Sequence, residues 1–106
     1  MVPELARQAV IIKSRWDTST MTGNYEMGYA VGVLTKVTGI MYPADFASPA
    51  DLKEKILELL KNYEPKDEQE AHTIRMLKYY EPDDTMDEQF FEMINIGLAE
   101  KTPWKR

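Results

Sequence analysis

The feature that most constrains the fold is a near-repeat of seven residues. Residues 59–65 read Leu-Leu-Lys-Asn-Tyr-Glu-Pro, and residues 76–82, which lie 17 positions later, read Met-Leu-Lys-Tyr-Tyr-Glu-Pro. Each copy closes an amphipathic stretch, and acidic residues open the next one. Proline donates no backbone hydrogen bond and moves the preceding residue out of helical geometry. Two such stops at this interval predict short antiparallel helices joined by tight corners.

The spacing of apolar residues extends this pattern into a compact all-α bundle of about five short helices. We expect them over about residues 3–16, 25–41, 49–63 and 67–80, and from about residue 85 to residue 98. A strand over residues 10–12 is the alternative within the first helix. Ser48 followed by Pro49 predicts one helix start, and Thr85 with Glu88 predicts another as a capping box. We expect a single domain over residues 1–106, with a flexible link at about 17–24 and a tail at 101–106.

Periodicity also predicts which side chains face the core. The expected inward positions, from the second helix to the fifth, are Tyr25, Tyr29, Val33, Val37 and Ile40; Leu52, Ile56, Leu59, Leu60 and Tyr63; Ala71, Ile74, Leu77 and Tyr80; and Met86, Phe90, Met93, Ile94 and Gly97 or Leu98.

Composition excludes several classes of protein. The chain has no cysteine, so disulfide and thiolate chemistry are absent. Its start has no basic segment followed by a long apolar run, so we expect no signal peptide. The most apolar window, Met27 to Met41, is shorter than a membrane span and contains Lys36. We therefore expect a cytoplasmic protein that does not enter a membrane.

The net charge of −5 is unevenly distributed. Residues 64–92 hold ten acidic side chains against three basic ones. Nucleic acid phosphates would repel such a stretch, so direct nucleic acid binding is not expected, whereas a basic protein surface would attract it. One hypothesis is therefore an acidic decoy of nucleic acid that blocks a basic partner surface. Its predicted acidic face comprises Asp67, Glu68, Glu70, Asp83, Asp84, Asp87 and Glu88.

A catalytic arrangement is not evident in the sequence. His72 is the only histidine, so neither a triad nor a zinc site is predicted. The pairs Glu64 with Asp67 and Glu81 with Asp84 are similar in spacing to the paired carboxylates of all-helical nucleotide pyrophosphohydrolases, which hold Mg²⁺. Each pair here straddles a proline, so convergence on a metal is not expected. A Mg²⁺-dependent hydrolase of nucleotides or phosphate esters, using carboxylates of residues 64–92, remains the minority hypothesis.

Without a catalytic arrangement, the sequence favours a small intracellular module for protein–protein interaction, such as an inhibitor or adaptor, with no cofactor. Gly28 and Gly32 lie inside a predicted helix, which indicates close approach of another backbone, either within the fold or in a homodimer. Trp104 and Arg106 belong to a tail that no helical stripe includes. Trp104 either folds back onto the bundle or anchors a partner, since tryptophan and arginine are typical of interface hot spots. These four are the predicted partner-binding residues. The small size is compatible with a phage or mobile-element origin.

Overall fold

The computed structural model describes Arg7, Ile11 and residues 23–100. The latter range forms four helices, which are α1 (Asn24–Thr38), α2 (Pro49–Leu59), α3 (Glu68–Tyr79) and α4 (Glu88–Ala99). The all-helical prediction is confirmed, with four helices in the described residues against about five predicted. The predicted first helix lies outside the described residues except for Arg7 and Ile11, which are both helical. The radius of gyration is 12.4 Å, close to the ~13 Å expected of a compact domain of this length.

Helix α1 is the centre of the bundle. Every residue from Met27 to Thr35 is buried, so the helix contacts protein on all sides and not along one stripe. A helix that is apolar all round is typical of such an enclosed position. Helix α1 ends at Thr38, earlier than the predicted end near residue 41. Gly39 adopts a left-handed conformation (φ 73°), and the Gly39 N–H donates a hydrogen bond to the Thr35 carbonyl. Glycine accepts that conformation without strain, which makes it a common helix terminator.

The backbones of α1 and α4 lie in close contact. A methyl group at Gly32 would lie 2.2 Å from the carbonyl oxygen of Ile94, and one at Gly97 would lie 2.3 Å from the carbonyl oxygen of Tyr29. At Gly28 the corresponding distance, to the carbonyl oxygen of Phe90, is 3.1 Å. The interior glycines thus allow two helices of the same chain to touch, and α1 with α4 is the most extensive helix pair.

Helices α2 and α3 form a hairpin on the rest of the bundle. Ser48 caps α2 as predicted, because its hydroxyl accepts the Asp51 N–H at 3.1 Å. The Asp51 carboxylate accepts from the Ala47 N–H at 2.8 Å, one residue before the cap. Helix α2 ends at Leu59, four residues before the predicted Tyr63, and hydrogen-bonded turns follow.

Two predicted core positions are wrong. Leu59 is 47% exposed, because α2 ends there and the chain turns; Leu52, Ile56 and Leu60 of the same stripe are buried. Met86 is 36% exposed, because it precedes α4 and is not part of it.

Helix α4 begins three residues later than the predicted cap at Thr85. Its N-cap is Asp87, whose carboxylate accepts the Phe90 N–H at 2.9 Å. The same carboxylate accepts from the Tyr25 hydroxyl at 2.9 Å, which adds a contact from α1. The backbone hydrogen bond is the main reason that the pKa of Asp87 is lowered, and the Tyr25 bond adds to it. This tertiary contact selects Asp87 over Thr85.

A buried amide holds the connector between α3 and α4 in place. The side-chain N–H groups of Asn24 donate to the Asp83 carboxylate at 2.7 Å and to the Thr85 carbonyl at 2.9 Å. Its oxygen accepts from the buried Tyr80 hydroxyl at 2.7 Å. Asn24 was expected to end a flexible link, but it is the first residue of α1 and is buried. Residues 17–22 of that link lie outside the described residues.

None of the described helices combines the length and the apolar character needed to cross a bilayer.

Candidate functional site

The end of α2, the connector that follows it and one face of α3 enclose an open cavity of about 240 Å³, which we call the α2–α3 groove. Its apolar lining consists of Leu57, Leu60, Tyr63, Pro65, Ala71 and Ile74, and its cationic lining of Lys61, Arg75 and Lys78. Ala71, Arg75 and Lys78 follow a spacing of four and three residues, so they share one face of α3. The groove therefore combines an apolar floor with a positively charged rim.

The first copy of the sequence repeat builds one end of the groove. Its tyrosine, Tyr63, donates a hydrogen bond to Glu70 at 2.6 Å, and the Lys66 N–H donates to the same carboxylate oxygen at 3.1 Å. Burial, followed by the hydrogen bond to Glu70, raises the pKa of Tyr63 to about 12. The phenol is thus neutral at physiological pH and remains a donor. These bonds fix the connector against the start of α3, so this end of the groove is held by contacts within the chain.

The two copies of the repeat have different environments. Their lysines, Lys61 and Lys78, stand at the same place in each copy, and both line the groove. Their tyrosines differ, because Tyr63 lines the groove whereas Tyr80 is buried under the connector to α4. Burial, with the charges of Asp83 and Glu26 as lesser causes, raises the pKa of Tyr80 to about 12. The repeat therefore contributes two cations to one surface.

The ion pairs around the groove are few. Arg75 contacts Glu68 at 2.6 Å, and both side chains are largely exposed. No acidic side chain is among the described residues that line the groove. A second ion pair among the described residues joins Lys55 and Asp51 within α2, at 3.3 Å. The rim thus carries two lysines outside these ion pairs and one arginine that is paired with Glu68.

Most of the predicted acidic face has structural roles inside the chain. Asp67 and Asp87 cap α3 and α4, and Asp83 accepts from Asn24. Glu70 departs from the predicted face altogether, because it is only 3% exposed and accepts two hydrogen bonds. Glu68 pairs with Arg75, while Asp84 and Glu88 are exposed. The backbone N–H of Thr85 is the main reason that the pKa of Asp83 is lowered. All seven residues of the predicted face except Glu70 are exposed, so the acidic decoy stays a prediction.

The other predicted site residues divide into two groups. Gly28 and Gly32 are buried against α4 of the same chain, so the close approach that they indicated occurs within one fold. Contact with a partner at these glycines stays a prediction. Trp104 and Arg106 lie outside the described residues.

Sequence reasoning missed the groove. Arg75 and Lys78 are two of the three basic side chains counted in residues 64–92, and nothing in the helical pattern marks them and Lys61 as neighbours. One signal was present, since the repeat itself pairs Lys61 with Lys78. Their shared surface follows only once α2 and α3 fold back on each other.

Among the described residues, no three histidine, aspartate or glutamate side chains are grouped so that they could hold a metal ion. His72 is half-buried on α3, and its Nε2 atom has no hydrogen-bond partner among the described residues.

Comparison with protein families assigns the chain to one family. A family model described as a domain of unknown function (DUF3837) matches residues 1–101. The chain belongs to the DUF3837 family. A comparison with curated proteins gave no match. The family match spans all four described helices and the whole groove, so both are parts of the domain that defines DUF3837.

Proposed function

We propose that this chain is a small protein–protein interaction module that holds a segment of its partner in the α2–α3 groove. The observation that carries the proposal is the groove itself, an open apolar cavity of about 240 Å³ bordered by three cationic side chains. Grooves between helices are a common place for partner segments to bind, with apolar side chains giving affinity and charges fixing register. An inhibitor or an adaptor would both use such a surface.

The size of the groove favours a peptide segment over a small molecule. Small-molecule pockets usually enclose about 300–1,000 Å³ and bury most of the ligand. This groove is smaller and open on one side. One large apolar side chain would fill it, while the rest of the segment lies across the rim. The prearranged Tyr63–Glu70 contact favours such binding because it lowers the ordering cost of association.

Filling the groove tests the proposal. Random peptides displayed on phage are selected against the wild-type protein, and each selected peptide is then measured against Ala71→Phe. Ala71 is half-buried in the groove, so the phenyl ring would occupy the cavity. Ala50→Phe is the matched control, since Ala50 is an exposed helical alanine that is not in the groove lining.

We expect the selected peptides to lose binding to Ala71→Phe, by about tenfold or more, and to keep it with Ala50→Phe. Circular dichroism of both variants checks that the helices are retained. Peptides that bind both variants as well as the wild type, or a selection that yields none, would refute this site as the docking surface.

A further inference from the structure

The rim of the groove carries positive charge in a chain that is acidic overall. The net charge is −5, yet the charged side chains among the described residues that line the groove are Lys61, Arg75 and Lys78 alone. Charge of one sign around a cavity attracts groups of the opposite sign. The groove is therefore a place on the described surface where carboxylates of a partner would be favoured.

The three cations are available to a partner. Lys61 and Lys78 are exposed, and neither ammonium group is in an ion pair among the described residues. Arg75 is paired with Glu68, but exposed pairs contribute little to stability. A guanidinium also presents five N–H donors, so a second carboxylate can share it. Glu68 thus acts as an internal competitor for one of the three cations.

The apolar floor requires a second element in the partner. Leu60 and Ile74 are buried, with 5% and 9% of their surface still exposed, and both line the groove. An apolar side chain placed over them would remove this remaining surface from water. We infer that the bound segment is acidic and amphipathic, with one large apolar side chain seated on this floor and flanking carboxylates on the lysines and the arginine. This inference rests on the proposed function and names the chemistry of its partner.

Two synthetic peptides test the inference. One carries a phenylalanine flanked by glutamates, and the other has glutamine at every glutamate position. Binding of each fluorescently labelled peptide to the full chain is measured by anisotropy. We expect the glutamate peptide to bind about tenfold or more tightly than the glutamine peptide, since several carboxylates contribute together. Raising the salt from about 0.1 M to about 1 M, which shortens the Debye length from about 10 Å to about 3 Å, should remove most of this difference.

Single substitutions locate the effect. Lys61→Ala and Lys78→Ala should each weaken binding of the glutamate peptide about threefold, whereas Lys36→Ala, on exposed α1 surface outside the groove lining, should not. Glu68→Gln should strengthen binding about twofold, because it removes the competitor of the partner carboxylate at Arg75. An increase in affinity on removing a charge is a result that general loss of stability would not produce.

The outcomes separate the inference from the function on which it rests. Equal binding of both peptides, with loss of binding in Ala71→Phe, would overturn the acidic partner and leave the groove as a docking surface. Binding of neither peptide, with no peptide from the library, would contradict both. The chain itself could associate in a concentration-dependent way that Lys61→Ala and Lys78→Ala abolish. That result would overturn the inference of a foreign partner, because the occupant of the groove would be a second copy of the chain.

Discussion

Substitution of Gly32 by alanine should separate the two helices that meet at the centre of the molecule. The new methyl group would lie 2.2 Å from the Ile94 carbonyl oxygen and 2.8 Å from the Leu98 nitrogen, and both are backbone atoms. Ordinary contact begins near 3.4 Å, so α1 and α4 must move apart by about 1.2 Å, which is 3.4 minus 2.2. No side-chain rotation can relieve such an overlap.

The energetic cost can be worked from this displacement. A gap of about 0.5–1 Å already removes a quarter to a half of the dispersion energy between facing atoms. Overpacking of a core typically costs about 1–3 kcal/mol, and a backbone overlap belongs at the upper end or beyond. Alanine recovers about 1 kcal/mol through its better helix propensity. We therefore expect Gly32→Ala to lower the free energy of unfolding by about 2–3 kcal/mol, and the Tm by roughly 10 °C or more.

Gly28→Ala is the matched control, because it makes the same substitution in the same helix. Its methyl group would lie 3.1 Å from the nearest atom, the Phe90 carbonyl oxygen, so a shift of a few tenths of an ångström suffices. We expect a change of less than about 1 kcal/mol, since propensity offsets the mild overlap. Urea unfolding followed by far-UV circular dichroism measures both variants. Equal stability of the two variants would refute this reasoning about the α1–α4 contact.

Three further changes test other contacts. Asn24→Ala should lower the free energy of unfolding in urea by about 2 kcal/mol or more, because it leaves the buried Tyr80 hydroxyl and part of a connector without partners. Asn95 is exposed, so Asn95→Ala should be near neutral. Asp87→Ala should lower the Tm because a helix cap is lost, and Thr85→Ala should lower it much less. The reverse order in thermal melts would restore Thr85 as the cap. The Asp87 carboxylate has a lowered pKa in the folded state, so its contribution is full above the unfolded value of about 4 and declines as the pH falls below it. The Tm difference between wild type and Asp87→Ala should therefore narrow from pH 6 to pH 2; a constant difference over that range contradicts a role for the ionised carboxylate.

Much of the fold follows from local patterns in the sequence. The stripe of Leu52, Ile56 and Leu60 is buried as the helical period predicts, and so are Phe90, Met93 and Ile94. The cap at Ser48 follows from the side-chain oxygen and the proline after it. These features depend on residues within a few positions of each other, which is why they can be predicted from a single sequence.

Features that depend on distant residues were not predicted. Asp87 and Thr85 are both residues that cap helices, and the choice between them depends on Tyr25, which is more than sixty positions away. Glu70 looks like a surface charge, and it is buried because Tyr63 and the Lys66 N–H turn toward it. The groove requires α2 and α3 to be placed side by side before its cations become neighbours. Contacts between residues that are distant in the sequence determine these features, and composition does not.

Because of the backbone contact between α1 and α4, the parts of the molecule should differ in how readily they unfold locally. Two helices that touch along their main chains separate only when the bundle as a whole comes apart, so their amide protons should exchange with deuterium at the slowest rates. The hairpin of α2 and α3 makes far fewer contacts with that pair, and its amides should exchange sooner. The proposed docking surface thus belongs to the part of the protein that opens while the central pair remains intact.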